Sequence, residues 1–199
     1  MDSKIIEKEN SILERALKKE KGIRFVILTL LVIMTIAFIA KSADPIVILK
    51  DFGDTNPSEK IEKKKASKTY LRKITDKVTS LAFIYSPKTA ARNFDQLLNI
   101  VTPSSFGEMQ KIIEEKKAKI KRNNASSVFY PKEYIFDLDN QKVIAKGNLI
   151  ILSGEKIISN KQRAFRCDYT VNDYLISLDG IIDVTDKKDP MNYVPGDNK

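Results

Sequence analysis

Between Lys119 and Leu152 the chain reads KIKRNNASSVFYPKEYIFDLDNQKVIAKGNLIIL, and within it the spacing of apolar residues changes. Upstream, Phe106, Met109, Ile113 and Ile120 recur at helical intervals, with Glu115 and Lys119 four apart on another side, until the polar pair Asn123-Asn124 stops the pattern. Downstream, Tyr134, Phe136 and Leu138 alternate with Glu133, Ile135 and Asp137, the period of a strand. Asp139-Asn140 turns this strand into a second, Val143 to Leu152. Helices therefore precede strands, the order of an α+β domain.

Two more helices are expected before this one. Leu71, Ile74, Val78, Leu81 and Tyr85 mark one apolar face. Ser86-Pro87 then starts a second helix with Pro at its first position, where a missing amide does no harm, and Ala90, Phe94, Leu97, Leu98 and Val101 carry it. Thr102-Pro103 repeats the punctuation. Past Leu152, Ser153-Gly154 turns into a strand in which Phe165, Cys167, Tyr169 and Val171 alternate with Arg166, Asp168 and Thr170. Asn172-Asp173 turns into the last, Tyr174 to Val184. Short turns make the four strands an antiparallel meander, with three helices packed on one face.

Farther out, Phe25 to Ala40 reads FVILTLLVIMTIAFIA, whose only polar side-chain groups are two Thr hydroxyls that can bond back to helix carbonyls. At helical rise it spans about 24 Å, and snorkelling by Arg24 and Lys41 at its flanks brings it near the thickness of a bilayer core. Ala40-Lys41-Ser42 resembles a signal-peptide cleavage site, but the long preceding segment of mixed charge, with a Ser11-x-x-Glu14 capping box, favours an uncleaved anchor. Seven Lys and Arg residues, Lys4 to Arg24, precede the span and three lie within twenty residues after it, which places the N-terminus in the cytoplasm. The expected layout is a cytoplasmic tail (1–24), a transmembrane helix (25–41), a charged tether (42–66) in which Ile46–Leu49 could pair as a stray strand, an exported domain (67–186) and a loose tail (187–199).

Composition narrows the chemistry. The chain of 199 residues has no His and a single Cys, Cys167, which removes His-based acid–base catalysis, Cys-His nucleophiles and Cys/His zinc sites. The aspartates Asp137, Asp139, Asp179, Asp183, Asp186 and Asp189 are read as solvent-facing charges, and no enzyme activity, metal or cofactor is expected. The net charge of +9 is concentrated in residues 67–122, with 12 Lys and Arg against 5 Asp and Glu. Its densest cluster, Lys116, Lys117, Lys119, Lys121 and Arg122, is a solvated helix end suited to the macrodipole, and also a candidate partner-binding patch. Phe129, Tyr130, Tyr134 and Phe136 stand apart from it in sequence, so stacking platform and basic groove do not coincide and direct nucleic-acid binding is not expected.

This order of parts, together with TYLRKITDKVTSLAFIYSPKTAARNFDQLLNIVTPSSFGEMQKIIEEKKAKIKRNNASSVFYP (Thr69 to Pro131), resembles the TraE family of conjugative type IV secretion systems. The resemblance covers about residues 25–184. It implies a nuclear-transport-factor-like curved sheet with helices packed on it, on the periplasmic side of a bacterial inner membrane. It further implies no enzymatic activity, self-association, and a scaffold role in pilus assembly and DNA transfer through contacts with other secretion proteins. A related scaffold class carries an Asn-Pro-x-Gly turn before the last strand. Here the place reads Asn172-Asp173-Tyr174-Leu175, so only Asn172 carries over as a candidate contact residue. The competing reading is a membrane-anchored module that binds a small apolar ligand, an anionic lipid or nucleic acid.

Overall fold

The computed structural model describes residues 19–36, 47–48 and 60–196. Lys41, the Ser11 capping box, and most of the expected cytoplasmic tail and tether lie outside the described residues. The chain divides into two units, Met1–Asp44 and Pro45–Lys199.

In the first unit, residues 19–36 form helix α1. Arg24 pairs with Glu20 one turn back (2.6 Å), and the hydroxyls of Thr29 and Thr35 donate to the carbonyls of Phe25 (2.6 Å) and Leu31 (2.7 Å), as the sequence suggested. The apolar side chains from Phe25 to Ile36 are exposed all round. Among the described residues no helix is long and apolar enough to cross a membrane. The described part of the expected 25–41 span stops at 36, and the first two turns of α1 carry Lys19, Glu20, Lys21 and Arg24.

The second unit runs β1 (Val47–Ile48), β2 (Lys60–Ile61), α2 (Lys68–Phe83), α3 (Ala90–Leu98), α4 (Pro103–Asn123), β3 (Ala125–Asp137), β4 (Lys142–Ser153), β5 (Lys156–Asn172) and β6 (Leu175–Asp183). The last four strands form an antiparallel sheet in the order β3-β4-β5-β6, the expected meander. The tether region is partly folded: β1 pairs with β2, and Ile61 and Ala66 are buried in the main core.

Local chemistry accounts for the helix ends. Ser67 caps α2 by accepting from the Tyr70 amide (3.3 Å). Two core threonines are tolerated in α2 because Thr75 donates to the Leu71 carbonyl (2.7 Å) and Thr79 to that of Thr75 (2.8 Å), while Thr75 also meets the Tyr169 hydroxyl (2.8 Å). Helix α3 begins at Ala90, not at Pro87. Tyr85 is drawn into backbone pairing with Ser127, the residue before a proline favours extended geometry, and the Ser86 amide donates to Thr89 Oγ1 (2.9 Å), closing a turn where the helix was expected. Pro103 does open α4, and Asn124 ends it in the left-handed conformation (φ 46°).

β3 starts at Ala125, eight residues before the expected strand. Its register shifts between Pro131 and Glu133, so the inward positions are Ser127 and Phe129 before the irregularity but Tyr134 and Phe136 after it. One inserted residue reverses the alternation, and a period-two reading begun at Tyr134 cannot be followed backward through it. Gly147 lies opposite, where a Cβ would fall 2.0 Å from the Tyr130 carbonyl oxygen. A proline fits because β3 is an edge strand.

Helices α2–α4 cover one face of the sheet, over Val143, Cys167, Tyr169, Val171 and Leu178, with Phe83, Phe129 and Phe165 in mutual ring contact beside them. The opposite face is covered as well. Ile144, Ala164 and Val184 pack there with Met191 and Tyr193, so these two residues of the tail expected to be loose (187–199) lie against the sheet. Arg166, on the side of β5 opposite Cys167, is what the segment closes over, with 3% of its surface exposed.

Candidate functional site: the groove between α4 and β6

Val101 bridges to Leu178 of β6, after which the chain turns into α4 and leaves the strand. Two recesses open along this divergence. The inner one, about 210 Å³, is floored by Phe83, Phe94, Leu97, Ile113 and Phe165; the outer one, about 390 Å³, is lined by Ser105, Glu108, Asp179, Gly180 and Pro195. Met109, Ile112, Ile181 and Asp183 line both, making one groove.

The five residues of the basic cluster do not form a patch. Lys116 turns inward at the closed end of the groove, where its ammonium donates to the Ala82 carbonyl (3.0 Å) and lies over the rings of Phe83 (4.9 Å), Tyr85 and Phe94 (5.3 Å each). Burial without a carboxylate partner pushes it down to about 8. Lys117 bridges Glu114 and Asp95 (2.9 Å each), and hydrogen bonds to these carboxylates hold its pKa above the usual lysine range. Lys119, Lys121 and Arg122 are exposed at the helix end. A signal for Lys116 was present, since it lies three residues after Ile113 and four before Ile120, on the stripe that faces the core.

Asn172 is exposed at the end of β5, paired with Leu175 across a turn in which Asp173 and Tyr174 have φ of 46° and 66°. It lines a separate, shallow recess with Gln141, Tyr169 and Lys64, and the structure does not bring it to the groove. Of the span flanks, Arg24 is held by Glu20 and Lys41 lies outside the described residues.

The aspartates mostly have structural work. Asp137 accepts from the Asn140 amide (3.0 Å) and side chain (2.7 Å), bonds that hold its pKa below the usual range, and Asp139 pairs with Lys65 (2.9 Å). Asp179 accepts from Thr170 (2.6 Å), and Asp183 caps the Thr185 amide (3.0 Å). Cys167 is fully buried, and desolvation pushes its thiol up to about 12, the state of an inert small hydrophobe. Among the described residues no group of His, Cys, Asp and Glu is arranged to hold a metal.

The sequence matches the family model described as TraE protein over residues 1–183. Protein TraE of Salmonella typhi is 26% identical over 129 residues, 64% of this chain and 68% of that protein. Among solved structures, a TrwG component of a type IV secretion system from Bartonella birtlesii shares the fold, with a TM-score of 0.51 at 14% identity over 60% of this chain and 94% of that one. With a match that extends through the helix of the first unit and nearly all of the sheet, the chain belongs to the TraE protein family.

Proposed function

We propose that the chain is a non-catalytic inner-membrane assembly component of a conjugative type IV secretion system, required for pilus assembly and DNA transfer. The observation that carries this reading is the family match across residues 1–183, which takes in the apolar helix as well as the α+β unit. The mechanism is protein contact. Residues 25–41 anchor the chain, the N-terminal tail remains in the cytoplasm, and the α+β unit stands in the periplasm, where it self-associates and engages other secretion proteins. The all-round exposed apolar surface of α1 supports the anchor, since a helix apolar on every side needs lipid or a protein interior around it. The assignment of aspartates to turns and caps supports a scaffold without chemistry of its own.

Cross-linking in living donor cells followed by affinity purification of the full chain tests the role. Recovery of other secretion components encoded with it is expected; a chain recovered without any of them contradicts the reading. Protease treatment of spheroplasts tests the topology. Digestion from a C-terminal epitope, together with full-length protein that resists carbonate extraction, is expected, whereas protection until lysis would put the domain in the cytoplasm.

A further inference from the structure

We infer that the groove between α4 and β6 receives an extended segment of a partner protein, alternating apolar and cationic side chains, which adds to the sheet as a strand beside β6. The inference specifies a partner for the scaffold proposed above. Its physical basis is a sheet edge left open at a defined place.

β6 is the outermost strand, and beyond Leu178 no described segment pairs with it on its outer side. Leu178 directs its amide and carbonyl outward, to the Ile100 carbonyl (2.7 Å) and the Thr102 amide (2.9 Å), whereas Val184 directs its amide inward, to the Ala164 carbonyl of β5 (2.8 Å). Backbone groups alternate along a strand, and one extra residue is inserted between Leu178 and Gly180. Ile181 and Asp183 therefore turn their amides and carbonyls away from β5, into the groove. An incoming backbone meets hydrogen-bonding groups there, which is how peptides add to open sheet edges.

The groove walls specify the side chains. Met109 and Ile112 of α4 face Ile181 across it, and Ile112 is 52% exposed. Glu108, Asp179 and Asp183 line the outer recess, and no Lys or Arg does. In a chain of net charge +9, these carboxylates over an apolar floor select a cationic occupant with Glu108 as its main contact, since Asp179 already accepts from Thr170 (2.6 Å) and Asp183 from Thr185 and from Arg163 (3.5 Å). Gly180 leaves the approach clear, since a Cβ there would meet nothing within 4 Å.

The test uses the full chain in nonionic detergent and a short fluorescent peptide of alternating lysine and valine, with binding to protein-free micelles subtracted. Saturable binding is expected, with slowed hydrogen exchange confined to the β6 amides beyond Leu178. Binding should weaken about tenfold or more when backbone N-methylation removes the peptide amides that face β6, when glutamate replaces its lysines, and in Glu108→Lys or Ile112→Arg. Both positions are exposed, so neither substitution disturbs the core. Absence of binding overturns the inference, as does an N-methylated or acidic peptide that binds equally well, or protection lying elsewhere. Because DNA transfer is not the readout, failure of the secretion role and failure of this site are distinguishable.

Discussion

Lys116, beneath the helices, and Arg166, beneath the C-terminal segment, are buried cations on opposite sides of the sheet, and the two faces accommodate them in different ways. Arg166 makes paired bonds to Asp168 (2.7 and 2.9 Å) and donates to the carbonyls of Pro190 (3.1 Å), Met191 and Tyr193 (2.8 Å each). Its planar fork satisfies a carboxylate and three carbonyls at once. Lys116 has one carbonyl and three ring faces, and no carboxylate. The outer face is closed by a fully partnered charge, whereas the inner face holds a charge at the end of an open groove. A buried guanidinium with a complete set of acceptors fastens one segment to another. An ammonium over π-faces stays close to losing its proton.

The sharpest way to break this comparison is the same substitution at both sites. Arg166→Met should lower stability by about 3–5 kcal/mol, because Asp168 and three carbonyls lose their partner. The midpoint and slope of urea unfolding would measure it. The next effect is one of pH. With Lys116 near 8 in the folded state against the ordinary lysine value of 10.5, the unfolded chain binds more protons between those values, so this residue's contribution to stability rises with pH across that window, by up to about 3 kcal/mol. Cys167, raised from 9.0 to about 12, acts in the opposite direction above pH 9, since there the folded state holds the extra proton. The difference between the wild-type and Lys116→Met profiles isolates the lysine: the variant's advantage at pH 7 should shrink with rising pH, vanish near about pH 9, and give way to a more stable wild type by about pH 10.

Ending the chain after Asp186 should cost about 2 kcal/mol, less than Arg166→Met, since it removes the carbonyl acceptors and the Met191 and Tyr193 packing but lets water reach the guanidinium. Thermal unfolding would show it. The smallest effect is Lys116→Met at pH 7, a stabilisation of about 1 kcal/mol, as relief of desolvation outweighs the lost carbonyl and ring contacts. Opposite signs for one substitution at two buried cations would confirm the contrast.

The helix–helix–helix–meander order was legible because apolar stripes at helical spacing and alternation in strands survive in Leu71, Val78, Phe94, Ile113, Val143 and Cys167, all of them buried. Three features were not legible, each for a physical reason. The register shift at Pro131 reverses the alternation and hid the first half of β3. The segment after Asp186 contributes mainly carbonyl oxygens to Arg166, and a backbone acceptor leaves no mark in a sequence. Lys116 was read with its cationic neighbours, although its spacing from Ile113 and Ile120 placed it on the inner stripe. The groove itself arises from Val101 and Leu178 meeting across a helix and three strands of intervening sequence, a contact no local pattern encodes.

As proposed above, this chain is a working part of a conjugative apparatus. The most direct test is the frequency of plasmid transfer from donors carrying an in-frame deletion of its gene, with and without the full chain supplied in trans. Loss of transfer and of pili on deletion, both restored by the supplied chain, is the result expected. Undiminished transfer from the deleted donor would contradict it.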